Sequence, residues 1–134
     1  MNIEDVEGIG PTFAQTLSAA GVATTDGLLD RGATAAGRAK LAADTGISER
    51  LLLEWVNHAD LMRLDGVGPE YADLLEAAGV DSCAELARRN AANLATTFQE
   101  LDAARPNTIR QVPSEATVAG WIEQASKLAH IVSH

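Results

Sequence analysis

The stretch Asn2–Val22, NIEDVEGIGPTFAQTLSAAGV, lies over Asp60–Val80, DLMRLDGVGPEYADLLEAAGV, without a gap at a constant shift of 58 residues. Ile3, Val6 and Ile9 meet Leu61, Leu64 and Val67, while Gly8, Gly10, Pro11, Ala14, Leu17 and Gly21 meet Gly66, Gly68, Pro69, Ala72, Leu75 and Gly79. Self-similarity at a fixed period marks a repeated supersecondary unit. A second correspondence, shifted by 66 residues, sets ISERLLLEWV (Ile47–Val56) over PSEATVAGWI (Pro113–Ile122) and Trp55 over Trp121. The chain therefore reads as two copies of one unit, residues 1–59 and 60–134, the second carrying about eight extra residues between its landmarks.

Each copy reads as short helices joined by tight turns. Asn2 and Asp60 stand where N-caps of a short helix belong, with apolar residues recurring every third position behind them. The glycines of GIG and GVG stop that helix. Pro11 or Pro69 then starts the next one at its first position, where the missing N–H does no harm. Phe13 or Tyr71, Ala14 or Ala72, and Leu17 or Leu75 form its inward face, and Gly21 or Gly79 supplies the left-handed C-terminal cap. Thr24 and Ser82 cap the following helix, and Ser82 with Glu85 has the spacing of a capping box. Residues 35–45 read as a helix ended by Gly46, and Ser48 as the cap of a helix reaching about His58. Residues 91–104 are expected to be helical, RPNTIRQVP (105–113) a loop, and Ser114 the cap of a last helix carrying Val118, Trp121, Ile122, Ala125 and Leu128. Strand signal is almost absent. The expected fold is all-α, two pseudo-symmetric units packed as one compact domain, because one copy of about 60 residues is marginal alone.

Composition narrows the function classes. With 134 residues, 46% of them hydrophobic, the chain suits one compact domain and leaves no room for a large catalytic barrel. Nineteen acids against ten Lys and Arg give a net charge of −9, which opposes non-specific attraction to nucleic acid or anionic lipid. A single cysteine, Cys83, excludes an internal disulfide framework and reads as a buried thiol. Neither a leader pattern nor a long apolar run is seen, so a cytoplasmic protein without membrane contact is expected.

The pattern apolar-x-x-apolar-x-Gly-apolar-Gly-x-x-x-Ala-x-x-Leu resembles the helix-hairpin-helix motif of many DNA repair, ligase and polymerase accessory domains. The longer phrase GVGPEYADLLEAAGVDSCAELARRN, with ISERLLLEWVNHADLMRL before it and PSEATVAGWI after it, resembles domain-of-unknown-function family 4332, an uncharacterised bacterial family. That resemblance covers nearly the whole chain and implies a fold, not an activity. In helix-hairpin-helix proteins that bind DNA, the hairpin offers backbone N–H groups at a helix N-terminus to a phosphate, where the helix dipole favours an anion. Carried over, the nucleic-acid-binding positions are Gly8, Ile9, Gly10 and Thr12 in the first copy and Gly66, Val67 and Gly68 in the second. The chain departs from such members where they place Lys or Arg after the second glycine: Thr12 and Glu70 stand there, with Glu7 and Asp65 beside the turns. Glycines that only form the turn, with the helix ends filled by acidic side chains or water, are the competing reading.

Arg31, Arg38, Lys40 and Arg50 cluster in the first connector, and Arg88, Arg89, Arg105 and Arg110 in the second. Arg88 and Arg89 join the candidate nucleic-acid contacts if the fold brings them to the hairpins. Otherwise these charges are a mixed solvated surface. His58, His130 and His134 are too scattered to suggest a ligand set, and no phosphate loop or nucleophile arrangement is present. No catalytic residue, metal site or cofactor is expected, and the chain is read as not an enzyme. Trp55 and Trp121 read as core anchors. The leading expectation is a binding or scaffold module for a protein partner or for self-association, with LAHIVSH (128–134) contributing to an exposed apolar patch. The alternative is weak, non-sequence-specific DNA binding through hairpin amides. A small-ligand pocket between the units, lined by residues such as Leu52 and Val118, is a third.

Overall fold

The structure, a computed structural model, describes residues 1–106 and 109–134. Asn107 and Thr108 of the expected loop lie outside the described residues. A one-turn 3-10 helix (Ile3–Asp5) leads into α1 (Pro11–Ala19), α2 (Thr25–Gly32), α3 (Ala35–Thr45), α4 (Glu49–Leu61), α5 (Pro69–Ala77), α6 (Cys83–Leu86), α7 (Ala91–Ala104) and α8 (Glu115–Lys127). Among the described residues there is no strand, only an isolated bridge between Asn2 and Thr24. The all-α expectation holds.

The same backbone bonds recur 58 residues apart. Ile9 N–H donates to Val6 O at 3.1 Å and Val67 N–H to Leu64 O at 3.2 Å; Val22 N–H donates to Leu17 O at 2.8 Å and Val80 N–H to Leu75 O at 2.9 Å. The last two close Schellman caps, in which Gly21 (φ 91°) and Gly79 (φ 88°) take the left-handed residue. Arg31 and Arg89, also 58 apart, each donate to a carbonyl at the end of the helix before: Ala20 O at 3.0 Å and Gly79 O at 2.9 Å.

Caps explain most of the helix starts. Thr24, Thr34, Ser48, Ser82, Asn90 and Ser114 each accept from the N–H three residues on. Two expectations are corrected. Asp60 is no N-cap: α4 runs through it to Leu61, and its buried carboxylate instead accepts from Cys83 N–H at 2.8 Å and from Arg63 at 2.7 Å. Asn2 precedes the 3-10 helix without a side-chain cap bond. The Ser82 box is half made, because the Glu85 carboxylate turns to Arg89 at 3.1 Å.

Buried apolar side chains fall into two clusters. The first gathers Val6, Ile9, Leu17, Leu28, Leu41, Leu52, Trp55 and Val56; the second Leu61, Leu64, Val67, Leu75, Leu86, Phe98, Val118 and Trp121. Helix α4 passes from one to the other, and Met62 packs on both. Residues 129–134 return to the first cluster. Val132 is buried there, Ser133 N–H donates to Ala33 O at 2.8 Å, and the buried Arg38 guanidinium donates to Ser133 O at 2.7 Å and Gly32 O at 2.8 Å. The LAHIVSH segment is thus docked through Val132 rather than left as an apolar strip. Leu52 and Val118 are fully buried in separate clusters, so they line no pocket between the copies.

Candidate functional site

Both hairpins are built by one device. A left-handed glycine, Gly8 (φ 91°) or Gly66 (φ 88°), turns the chain, and the following Ile9 or Val67 plugs the core below. A Cβ on Gly8 would sit 3.3 Å from Trp55 Nε1, and on Gly66 3.5 Å from Trp121 Nε1, so each indole edge closes over its turn. Phe13 meets Trp55 edge-on at 5.0 Å and Tyr71 meets Trp121 at 5.3 Å. Trp55 and Trp121 are core anchors, as expected, at 2% and 3% exposure. Phe13 is more open than expected, at 37%.

The second glycine of each hairpin has another character. Gly10 and Gly68 are the N-caps of α1 and α5, with negative φ and no side-chain cap bond. A Cβ at either would meet nothing within 4 Å. Neither the turn nor packing therefore requires glycine there. At α5, Glu70 Oε1 accepts from Arg110 N–H at 2.8 Å. Gly8, Gly10, Thr12 and Gly66 are exposed and Gly68 half-buried, whereas Ile9 and Val67 are buried and their N–H groups are already given to Val6 O and Leu64 O, so neither is a phosphate donor.

Arg88 and Arg89 do not join them. Arg89 is held at the C-terminal end of α5 by Gly79 O and Glu85, about 13 Å along the nine-residue helix from Gly68. Arg88 is exposed beside it. In the first connector Arg38 is buried on carbonyls, and Arg31 pairs with Asp44 at 3.6 Å. Acids predominate around the hairpins: Glu4, Asp5, Glu7, Asp65, Glu70 and Asp73 are all exposed, with Arg105 and Arg110 nearby across an adjoining cleft.

One cleft borders both copies. Its volume is about 690 Å³, its floor Pro69, Leu74, Leu101 and Ile109, and its rim Glu7, Glu70, Asp73, Arg105 and Arg110. Glu7 comes from the first hairpin and Pro69 and Glu70 from the start of the second hairpin's helix. The cleft lies along α5 and the end of α7. Tyr71 O–H donates to Gln111 O at 2.8 Å, so with the Glu70 bond it holds the later part of the loop against α5. Farther along α5, burial pushes the Glu76 carboxyl above its ordinary value; His58 pulls it back, and the Glu54 and Asp73 carboxylates push it up further. Sequence reading missed this cleft. Its floor comes from α5, α7 and a loop far apart in the chain, and only the acidic bias near the hairpins was visible beforehand.

No helix among the described residues is long and apolar enough to cross a membrane. No curated protein and no solved structure matches the chain. The family described as Domain of unknown function (DUF4332) matches residues 7–128. With the match spanning most of the sequence and an all-helical fold beneath it, the chain belongs to the DUF4332 family.

Proposed function

We propose that this chain is a non-enzymatic binding module whose cleft receives an apolar anchor of a protein partner, flanked by Lys or Arg. The observation that carries the reading is the cleft itself. It has an apolar floor, a rim where Glu7, Glu70 and Asp73 outnumber Arg105 and Arg110, and a volume within the range of about 300–1,000 Å³ typical of ligand pockets. A groove with charged edges suits a peptide segment, since the floor takes the anchor and the rim selects the flanking charge. The net charge of −9 favours a basic partner over long range.

The test is selection of random displayed peptides against the full chain. Enriched peptides should pair an apolar anchor with basic residues, and their binding should fail against Ala104→Arg, which fills the cleft from an exposed position. Failure to enrich, or binding indifferent to that substitution, would overturn the proposal.

A second reading has its own support. The uncapped N-termini of α1 and α5, with Gly10 and Gly68 in open space, leave backbone N–H groups free for a phosphate. The acidic surroundings oppose it. Anisotropy of labelled single-stranded and duplex DNA decides: salt-sensitive binding that Gly10→Glu abolishes favours the hairpins, and absence of binding at low salt removes them as phosphate sites.

A further inference from the structure

Glu54 and His58 stand one turn apart on α4, Glu76 reaches them from α5, and their ligand atoms all lie within 4.8 Å of one another. His58 is 1% exposed, and its Nε2 pairs closely with Glu76 Oε2, while its Nδ1 has no hydrogen-bond partner among the described residues. A buried ring nitrogen without a partner is costly and calls for a physical cause. A ring nitrogen and a carboxylate oxygen so close share a positive charge, which is either a proton or a cation. A shared proton needs only the His58–Glu76 pair, whereas a second carboxylate, Glu54, converges on the same point.

We propose that Glu54, His58 and Glu76 form a site for a divalent transition-metal ion of the zinc class, which clamps α4 against α5. One imidazole and two carboxylates fit that class: Ca²⁺ and Mg²⁺ take oxygen ligands, and soft Cu(I) takes sulfur. Zinc holds nitrogen and oxygen at about 2.0–2.2 Å. Glu76, its side chain 32% exposed, has room to turn and admit the ion. Three protein ligands leave a position open to water. Because α4 carries Trp55 and Val56 of the first core and α5 carries Leu74 and Leu75 of the second, the ion ties the two cores together. Sequence reading set His58 aside because His130 and His134 lie far away along the chain. The missing ligand is instead a glutamate that only the packing of α5 on α4 supplies.

The test titrates Zn²⁺ into chelator-treated full-length protein at neutral pH by calorimetry, with Co²⁺ absorption as a second probe. One equivalent is expected to bind, to raise the unfolding temperature and to shift the His58 ring nitrogen resonances. The exposed Glu54→Gln leaves the cores untouched, and with Glu76→Gln it should weaken binding by at least about tenfold, since even an outer partner of a ligand is worth about 10- to 100-fold. His130→Gln and His134→Gln should leave affinity unchanged. Binding unaffected by Glu54→Gln, or no stoichiometric binding, would overturn the site and leave a His58–Glu76 pair sharing a proton.

Discussion

At the scale of single residues, the two glycines of one hairpin differ in kind, and the difference is measurable. Gly8 holds φ 91°, which an L side chain enters at a cost of about 1–2 kcal/mol. Its Cβ would also press on Trp55 Nε1. Gly8→Ala should therefore destabilise by about that amount in urea melts. Gly10 already has N-cap geometry, φ −83° and ψ −179°, with open space around it. Gly10→Ser should stabilise by about 0.5–1 kcal/mol, through a new cap and a less flexible unfolded chain. A loss of stability there would show that Gly10 is required by the fold, and would weaken the phosphate reading. Cys83 behaves differently again. Burial, then the Asp60 carboxylate beside it, pushes its thiol up from 9.0 to about 12. Its S–H donates to Asp60 O at 3.1 Å. The unfolded thiol ionises first, so between those values the native state holds more protons and stability falls as pH rises, having been fully present below 9.0. Cys83→Ala should flatten that alkaline decline in unfolding free energy, and an unchanged slope would refute the assignment. The native thiol should also resist thiol reagents near neutral pH.

At the scale of elements, helix identity was legible because its causes are local. Proline at the first position, Ser or Thr caps and left-handed glycines each act within one turn, so α1, α3, α5, α7 and α8 fall where their spacing places them. Asp60 misled for the same reason. Its type suits a cap, but its carboxylate is claimed by Cys83 N–H, 23 residues on, and α4 continues through it. The cleft and the Glu54–His58–Glu76 group lay beyond reach, because both depend on how α5 packs on its neighbours, which no local pattern encodes. Packing of α2 on α4 is a case of this kind with a direct test. Gly32 ends α2 against Val56, and a Cβ there would lie 2.5 Å from Val56 Cγ2. Gly32→Ala should cost about 1–3 kcal/mol, as overpacking of a filled core does. Adding Val56→Ala should recover part of the loss, a coupling that a double-mutant cycle reads directly. Independent, additive losses would mean that α2 shifts aside at no cost to α4.

At the scale of the whole molecule, two hydrophobic clusters raise the question of whether the repeats unfold together. Three connections argue that they do. Helix α4 is continuous from Trp55 in the first cluster to Leu61 in the second, and Met62 packs on both. Arg63, bonded to Asp60, also donates to Ala129 O at 3.1 Å, where the chain passes from the second cluster to the first. Val132 and the Arg38–Ser133 bond then fasten that return to the first cluster. Loss of either cluster strips α4 of one buried face and frees the docked segment, so a half-folded chain exposes apolar surface on the half that remains. Small domains joined in this way unfold as one cooperative unit. Each cluster holds one tryptophan, so the chain carries its own probes: Trp121→Phe leaves Trp55 to report on the first, and Trp55→Phe leaves Trp121 to report on the second. Both substitutions keep an aromatic body in place and should lower stability by similar amounts, since both indoles close over equivalent turns. In urea, the remaining fluorescence and the far-ultraviolet helix signal should give one midpoint within each variant. A helix signal that splits into two steps, with fluorescence following only one, would show that the copies are separate folding units and that α4 frays between them.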